Sequence, residues 1–193
     1  MNVAIIKYNA GNTRSVYFAL ERLGIDSLIT DDPEAIRKAD KVILPGVGEA
    51  GSAMGYLKEK GLDKLIKDLD QPVLGICLGM QLLCRYSEEG NTHCLNIFDQ
   101  DVQKFNESKK VPQIGWNTLN QMKGSLFNGI PENAFMYFVH SYYVGPGADT
   151  ISETDYIIPF SSAIEKNNFF AVQFHPEKSG KYGEQILKNF LRL

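Results

Sequence analysis

The sequence predicts an α/β fold: one domain with a largely parallel central sheet, helices on both faces, and antiparallel strands added in its second half. Three observations carry this expectation. In the first half, short β-rich runs alternate with apolar residues at helical spacing. In the second half, β-rich runs follow one another with only turns between them. Between the two lies a cysteine framed by glycines, Gly75-Ile76-Cys77-Leu78-Gly79, where a strand pattern gives way to a helical one. Strand–helix alternation favours a parallel sheet, because each right-handed crossover helix returns the chain to a strand running the same way.

Taken in order, residues 3–8 read as the first strand and Asn9-Ala10-Gly11-Asn12 as the turn after it. Val16, Ala19, Leu20 and Leu23 recur at helical spacing until Gly24 ends that helix. Asp31-Asp32-Pro33 opens another helix, with proline in the first turn, where its missing N–H has no helical partner to lose. Residues 41–44 are a strand, 62–69 a helix and 73–76 the strand leading to Cys77, after which Met80, Leu82 and Leu83 continue helically. Residues 98–105, 114–119, 134–139, 155–160 and 169–174 are β-rich and bounded by turns. Ile186, Leu187, Phe190 and Leu191 give an amphipathic C-terminal helix. No repeat, low-complexity segment or linker interrupts the chain, so residues 1–193 are expected to form one domain.

Composition narrows the function classes. A hydrophobic content of 44% with 22% charged residues is ordinary for a soluble globular protein. A net charge of −3, with only the short pair Lys109-Lys110, speaks against a nucleic-acid partner. No stretch has the length of a membrane span, and residues 1–8 lack the basic leader and cleavage site of a signal peptide. Cysteines at 77, 84 and 94 are odd in number and lack metal-site spacing, so a reducing cytoplasm is expected, with no metal and no cofactor.

The chemistry starts at Cys77. A nucleophile on a tight strand-to-helix turn needs small neighbours two residues away on either side, which Gly75 and Gly79 supply. The turn sets the thiol at a strand end and near a helix N-terminus, whose partial positive charge favours thiolate. A second stretch, Phe169-Phe170-Ala171-Val172-Gln173-Phe174-His175-Pro176-Glu177, reads as a strand ending at Pro176. Strand side chains repeat every two residues, so His175 and Glu177 share a side and provide a base with a carboxylate to orient it. Of the other histidines, His93 reads as a loop residue, and His140 as a satisfied core residue or a wall of the site.

A third stretch, Leu44-Pro45-Gly46-Val47-Gly48-Glu49-Ala50-Gly51, offers two readings. Gly46, Gly48 and Gly51, with Asp70 further on, satisfy the spacing of a dinucleotide-binding loop. Pro45 and the charge of Glu49 weigh against it, as does the loop's place after a later strand than the first. The alternative is that backbone amides free of side chains point at an oxyanion.

Together these segments resemble the class I (triad) glutamine amidotransferases. Gly115-Trp116-Asn117 and Tyr137-Phe138-Val139-His140-Ser141-Tyr142 narrow the likeness to the glutaminase subunits of imidazole glycerol phosphate synthases. Relatives that make anthranilate or GMP usually carry histidine where this chain has Met80, and the likeness extends over essentially the whole length. Two segments depart from the pattern, Asn96-Ile97-Phe98-Asp99 and Tyr8-Asn9-Ala10-Gly11-Asn12. The resemblance implies a flavodoxin-like class I amidotransferase domain over 1–193. It implies Cys77, His175 and Glu177 as the triad, and an oxyanion hole from Val47, Gly48 and the N–H of Leu78. Gln81, Glu89, Ser141 and Tyr142 would hold the amino-acid end of glutamine. The partner it implies is a (β/α)₈ cyclase subunit that receives ammonia through an internal channel, in histidine biosynthesis or a paralogous pathway. Trp116, Tyr137, His140 and Lys178 would lie at that heterodimer interface.

Overall fold

The computed structural model describes residues 1–8 and 11–193; Asn9 and Ala10, half of the turn expected after the first strand, lie outside the described residues. Five parallel strands form the body of a seven-stranded sheet. They are β1 (Asn2–Ile6), β2 (Asp26–Thr30), β3 (Lys41–Leu44), β4 (Val73–Ile76) and, much later, β13 (Phe169–Val172). β11 (Thr150–Asp155) and β12 (Pro159–Lys166) extend it antiparallel, giving the order β11-β12-β13-β4-β3-β1-β2. A smaller sheet is made of β5 (Tyr86–Ser87), β6 (Thr92–His93), β7 (Asp101–Lys104) and β10 (Tyr142–Val144). A two-stranded ribbon pairs β8 (Gln113–Thr118) with β9 (Phe135–His140).

Both faces of the main sheet are covered, as the alternation of strands and helices predicts. Residues of β3, β4 and β13 are buried throughout, the pattern of strands packed on two sides. Val3, Ile5, Ile43, Leu74, Ile76 and Val172 join one core with α1 (Thr13–Arg22) and α6 (Gly180–Leu191). Their neighbours Ala4, Ile6, Val42, Leu44, Val73 and Ala171 join the other. That second core packs against α2 (Pro33–Lys38), α3 (Ala50–Glu59), α4 (Leu62–Lys67) and α5 (Leu78–Leu83). Period-two alternation along single strands thus divides the apolar residues between two layers.

Local signals set the helix starts. The Asp32 side chain accepts from the N–H of Glu34, and Pro33 fills the first turn. At α3 the Glu49 carboxylate accepts from Gly51 N–H at 2.8 Å and Ser52 N–H at 2.7 Å, a cap that stabilises a helix by about 1 kcal/mol.

The structure departs from the sequence reading at three places. Residues 26–30, not assigned from the pattern, form the edge strand β2, because pairing with β1 decides their state and only one side of them meets the core. Residues 155–160 are not one strand. Asp155 ends β11, Pro159 and Phe160 begin β12, and residues 156–158 between them make the turn, closed by a bond from Tyr156 N–H to the Ile158 carbonyl at 3.4 Å. The run expected over 98–105 shortens to β7, and Asn96 before it adopts φ 54°, a left-handed conformation asparagine tolerates.

Candidate active site

Cys77 lies between β4 and α5 with φ 54° and ψ −107°, a backbone that side-chain-bearing residues rarely adopt. What holds it there is close packing. A Cβ on Gly79 would stand 1.8 Å from the Leu44 carbonyl oxygen, and one on Gly75 would stand 2.9 Å from the Gly79 carbonyl carbon and oxygen. The Cys77 N–H donates to the Val172 carbonyl at 2.8 Å, tying the elbow to the end of β13. Its thiol donates to the Val139 carbonyl at 3.6 Å.

The same register delivers the base. β13 runs parallel to β4 with Val172 opposite Ile76, so the residues just beyond β13 stand beside Cys77. His175 is fully buried, and its Nδ1 donates to Glu177 Oε1 at 2.8 Å. Asn12 Nδ2 donates to the same oxygen at 2.5 Å. Burial favours the neutral imidazole, yet the neighbouring Cys77 and Glu177 outweigh it and push His175 up to about 10. Nε2, the nitrogen left free by Glu177, makes no well-formed hydrogen bond, so it is the atom available to exchange a proton with Cys77.

In front of Cys77 is a cavity of about 240 Å³ lined by Val47, Gly48, Leu78, Gln81, Glu89, Pro112, Val139, His140, Ser141 and Tyr142. Gln81 Nε2 donates to the Tyr142 carbonyl at 3.1 Å and to Gln173 Oε1 at 3.0 Å. Glu89 accepts from the Ala50 N–H at 2.8 Å; partial burial nevertheless raises its pKa, and the charge of Glu49 adds to the rise. A larger cavity, about 400 Å³, lies at the amino ends of β1 and β2 beside Asn2 and Asp26, the end of the sheet opposite Cys77. Its walls carry no thiol and no histidine. The chemistry therefore belongs to the smaller one.

The glycine loop after β3 completes the wall. The Leu78 N–H donates to the Gly46 carbonyl at 3.3 Å, and the Gly11 N–H to the Val47 carbonyl at 3.0 Å. Beneath the loop the buried Tyr8 hydroxyl donates to the Pro45 carbonyl at 2.5 Å, and a Cβ on Gly46 would stand 2.1 Å from that hydroxyl. Burial raises the Tyr8 pKa well above the phenol range, so the hydroxyl stays a donor. The dinucleotide reading of this loop finds no anion site: Ala50, Gly51 and Ser52, the first N–H groups of α3, are already bound by Glu89 and Glu49.

Residues 4–193 match the family Glutamine amidotransferase class-I. The chain belongs to the class-I glutamine amidotransferases. Among relatives, the imidazole glycerol phosphate synthase subunit HisH of Bacteroides fragilis (strain YCH46) is 61% identical over 196 residues, covering all of both chains. HisH of Haemophilus influenzae (strain Rd) is 48% identical over 193 residues, covering 99% of this chain and 97% of its own. Within the amidotransferases the chain therefore groups with the HisH subunits, glutamine amidotransferases of histidine biosynthesis. Solved structures agree on the fold. A glutamine amidotransferase aligns with TM-score 0.75 at 18% identity, covering 98% of this chain and 97% of its own. PurLQS from Thermotoga maritima aligns with TM-score 0.73 at 16% identity, covering 99% and 97%.

Set in this amidotransferase, the residues singled out from sequence fall into three groups. Cys77, Val47, Gly48, Leu78, Gln81, Glu89, Ser141 and Tyr142 line one cavity, with His175 and Glu177 buried beside it. Trp116 and Lys178 are exposed and Tyr137 half-buried, with the Trp116 and Tyr137 rings 5.8 Å apart, edge to face. His140, expected at the interface, is instead buried. Its ring nitrogens lie 2.7 Å from the Tyr142 carbonyl and 3.0 Å from the Gln113 side chain, and it also lines the cavity, so the two alternatives read from sequence, satisfied core residue or wall of the site, both hold. Tyr8, Asn12 and Gln173 also touch the site, with no role read for them from sequence. Gln173 alone had a signal, since it precedes His175 by two and so shares its side of the strand.

Proposed function

We propose that this amidotransferase hydrolyses glutamine to glutamate and ammonia through a Cys77 thioester and passes the ammonia to a (β/α)₈ cyclase subunit. The observation that carries the reading is the cysteine elbow facing the buried His175–Glu177 pair at the wall of a small cavity. The thiol proton moves to Nε2 of His175 while Sγ attacks the side-chain amide carbon of glutamine. His175 then delivers that proton to the departing ammonia and afterwards draws one from the water that hydrolyses the thioester. Glu177 holds the ring through Nδ1, which keeps Nε2 for the sulfur's proton. Gln81, Glu89, Ser141 and Tyr142 hold the amino-acid end, Glu89 suiting its ammonium.

Transition-state charge needs N–H groups from Leu78 and the loop of Val47 and Gly48. With the Leu78 N–H bound to the Gly46 carbonyl, that loop must turn before the oxyanion can be received. Glycine at 46 and 48 makes such a turn of the peptide inexpensive. Binding of the cyclase and its acceptor would favour the turned state, a population shift that couples the two sites.

The partner reading rests on chemistry and on a surface. Free ammonia at neutral pH is mostly protonated and not nucleophilic, so it needs a sheltered route to its acceptor. Ile114, Trp116 and Phe135 are more than half exposed on one side of the β8–β9 ribbon, an apolar patch beside the site. Val139, paired with Ile114, also lines the glutamine cavity. Purified chain, alone and with the co-expressed cyclase, is tested for glutamate release and for labelling of Cys77 by a glutamine-site affinity reagent. Labelling at Cys77 with glutamate release is expected; neither, in the assembled pair, would overturn the reading.

A further inference from the structure

We propose that Gln173 is a positioning residue for the nucleophile: its side-chain amide donates to Cys77 Sγ, holds the sulfur toward the cavity and stabilises the thiolate. Gln173 is fully buried, its Nε2 stands 3.6 Å from Sγ and its Oε1 accepts from Gln81 Nε2 at 3.0 Å. Its backbone is fixed too, by a bond from its N–H to the Ser162 carbonyl at 2.9 Å.

Which end of the amide faces sulfur follows from the network. The Tyr142 carbonyl can only accept, so Gln81 turns its NH₂ to it, and the second hydrogen of that NH₂ needs another acceptor. Gln173 supplies it with Oε1. Its NH₂ is then left pointing at Cys77, and no flip of one amide is free of the other. A donor aimed at sulfur favours the anionic form over the thiol. The proton released goes to His175 Nε2. Because Gln81 and Tyr142 line the cavity, the chain Tyr142–Gln81–Gln173–Cys77 also ties the place where substrate sits to the state of the nucleophile.

The inference rests on Cys77 as nucleophile, and its test does not depend on glutamine being the substrate. Alkylation of Cys77 by iodoacetamide is followed against pH by mass spectrometry in the full-length chain, in Gln173→Met and in Gln173→Glu, with Cys77→Ala as background. The other titratable groups around the sulfur, His175 with Glu177, Tyr8, His140 and Glu89, are the same in every variant. Met removes the donor at similar volume; Glu keeps the shape and the bond from Gln81 but turns an acceptor to the sulfur. The alkylation midpoint is expected to rise by about one pH unit in Met and further in Glu. Glutaminase turnover is expected to fall with little change in KM. Folded variants whose midpoints coincide with the parent would reduce Gln173 to a packing residue. Should the Met variant not fold, Gln173→Leu, which also removes the donor without adding a charge, takes its place. Unchanged midpoints speak against Gln173, whereas shifted midpoints in a chain without glutaminase activity speak against the glutamine reading only.

Discussion

A thiol on a turn that side-chain-bearing residues seldom adopt can be exchanged for a hydroxyl or a methyl without disturbing its neighbours. Cys77→Ser and Cys77→Ala are therefore expected to keep the thermal midpoint within a few degrees while glutamine hydrolysis falls roughly 10⁴-fold or more. Turnover and melting measured on the same preparations check this; activity retained by Cys77→Ala would remove the residue as nucleophile. His140 leads to a prediction about acid stability. Burial, with a contribution from nearby His175, lowers its pKa from 6.5 to about 4, against the opposing bond to the Tyr142 carbonyl. Above pH 6.5 the ring is neutral in both folded and unfolded chains. As pH falls from 6.5 towards 4, only the unfolded chain takes up the proton, and the native state loses about 1.4 kcal/mol per pH unit, about 3 kcal/mol in all. His140→Asn, which cannot titrate, is expected to flatten this part of the stability curve in urea unfolding. Parallel curves for parent and variant between pH 4 and 6.5 would show that the ring is not held neutral.

The strand-to-helix elbow and the helix α3 make opposite predictions for the same substitution. Gly79→Ala drives a methyl into the Leu44 carbonyl of β3, an overpacking expected to cost about 1–3 kcal/mol or more. Gly55, exposed in α3 with nothing within 4 Å of its added Cβ, is expected to gain roughly 0.5–1 kcal/mol as Ala. Denaturant unfolding of both, in parallel, would show whether the elbow depends on contact rather than on glycine's freedom. Elements with such local signatures were legible from sequence: β4, α5 and α6 carry apolar runs, glycine frames or helical spacing within a few residues. β11 and β12 were not, because burial there falls on hydroxyls. Ser152, Thr154, Ser161 and Ser162 are all fully buried and satisfied by bonds such as Ser162 to Ser152 at 3.0 Å, which no hydropathy pattern displays. The site divides in the same way. The triad and the cavity wall sit in short recognisable strings. Gln173 meets Gln81 and Cys77 from 92 and 96 residues away, and Asn12 meets Glu177 from 165, so these contacts appear only in the folded chain, although the two-residue step from Gln173 to His175 already puts those two on one side of the strand.

For the molecule as a whole, the closed loop at Gly46 predicts that glutaminase turnover of the chain alone is low and rises by about two to three orders of magnitude with cyclase and acceptor analogue. The change is expected in kcat rather than KM, since the oxyanion exists only in the transition state. Steady-state kinetics in the three conditions test it; full turnover by the lone chain would mean the hole is already formed. Trp116→Ala should weaken the response by reducing affinity for the partner, without affecting thermal stability, because the ring is exposed. The place of β13 in the sheet reaches further, into the making of the protein. One edge of β4 is covered by β3, but the other waits for residues 169–172. On the ribosome, therefore, the apolar Val73–Ile76 segment stays open along one side while residues 77–168 are synthesised, an invitation to mispairing. The nucleophile is made early and its base late, so a nascent or truncated chain lacking β13 holds a cysteine with no histidine beside it and cannot squander the cell's glutamine.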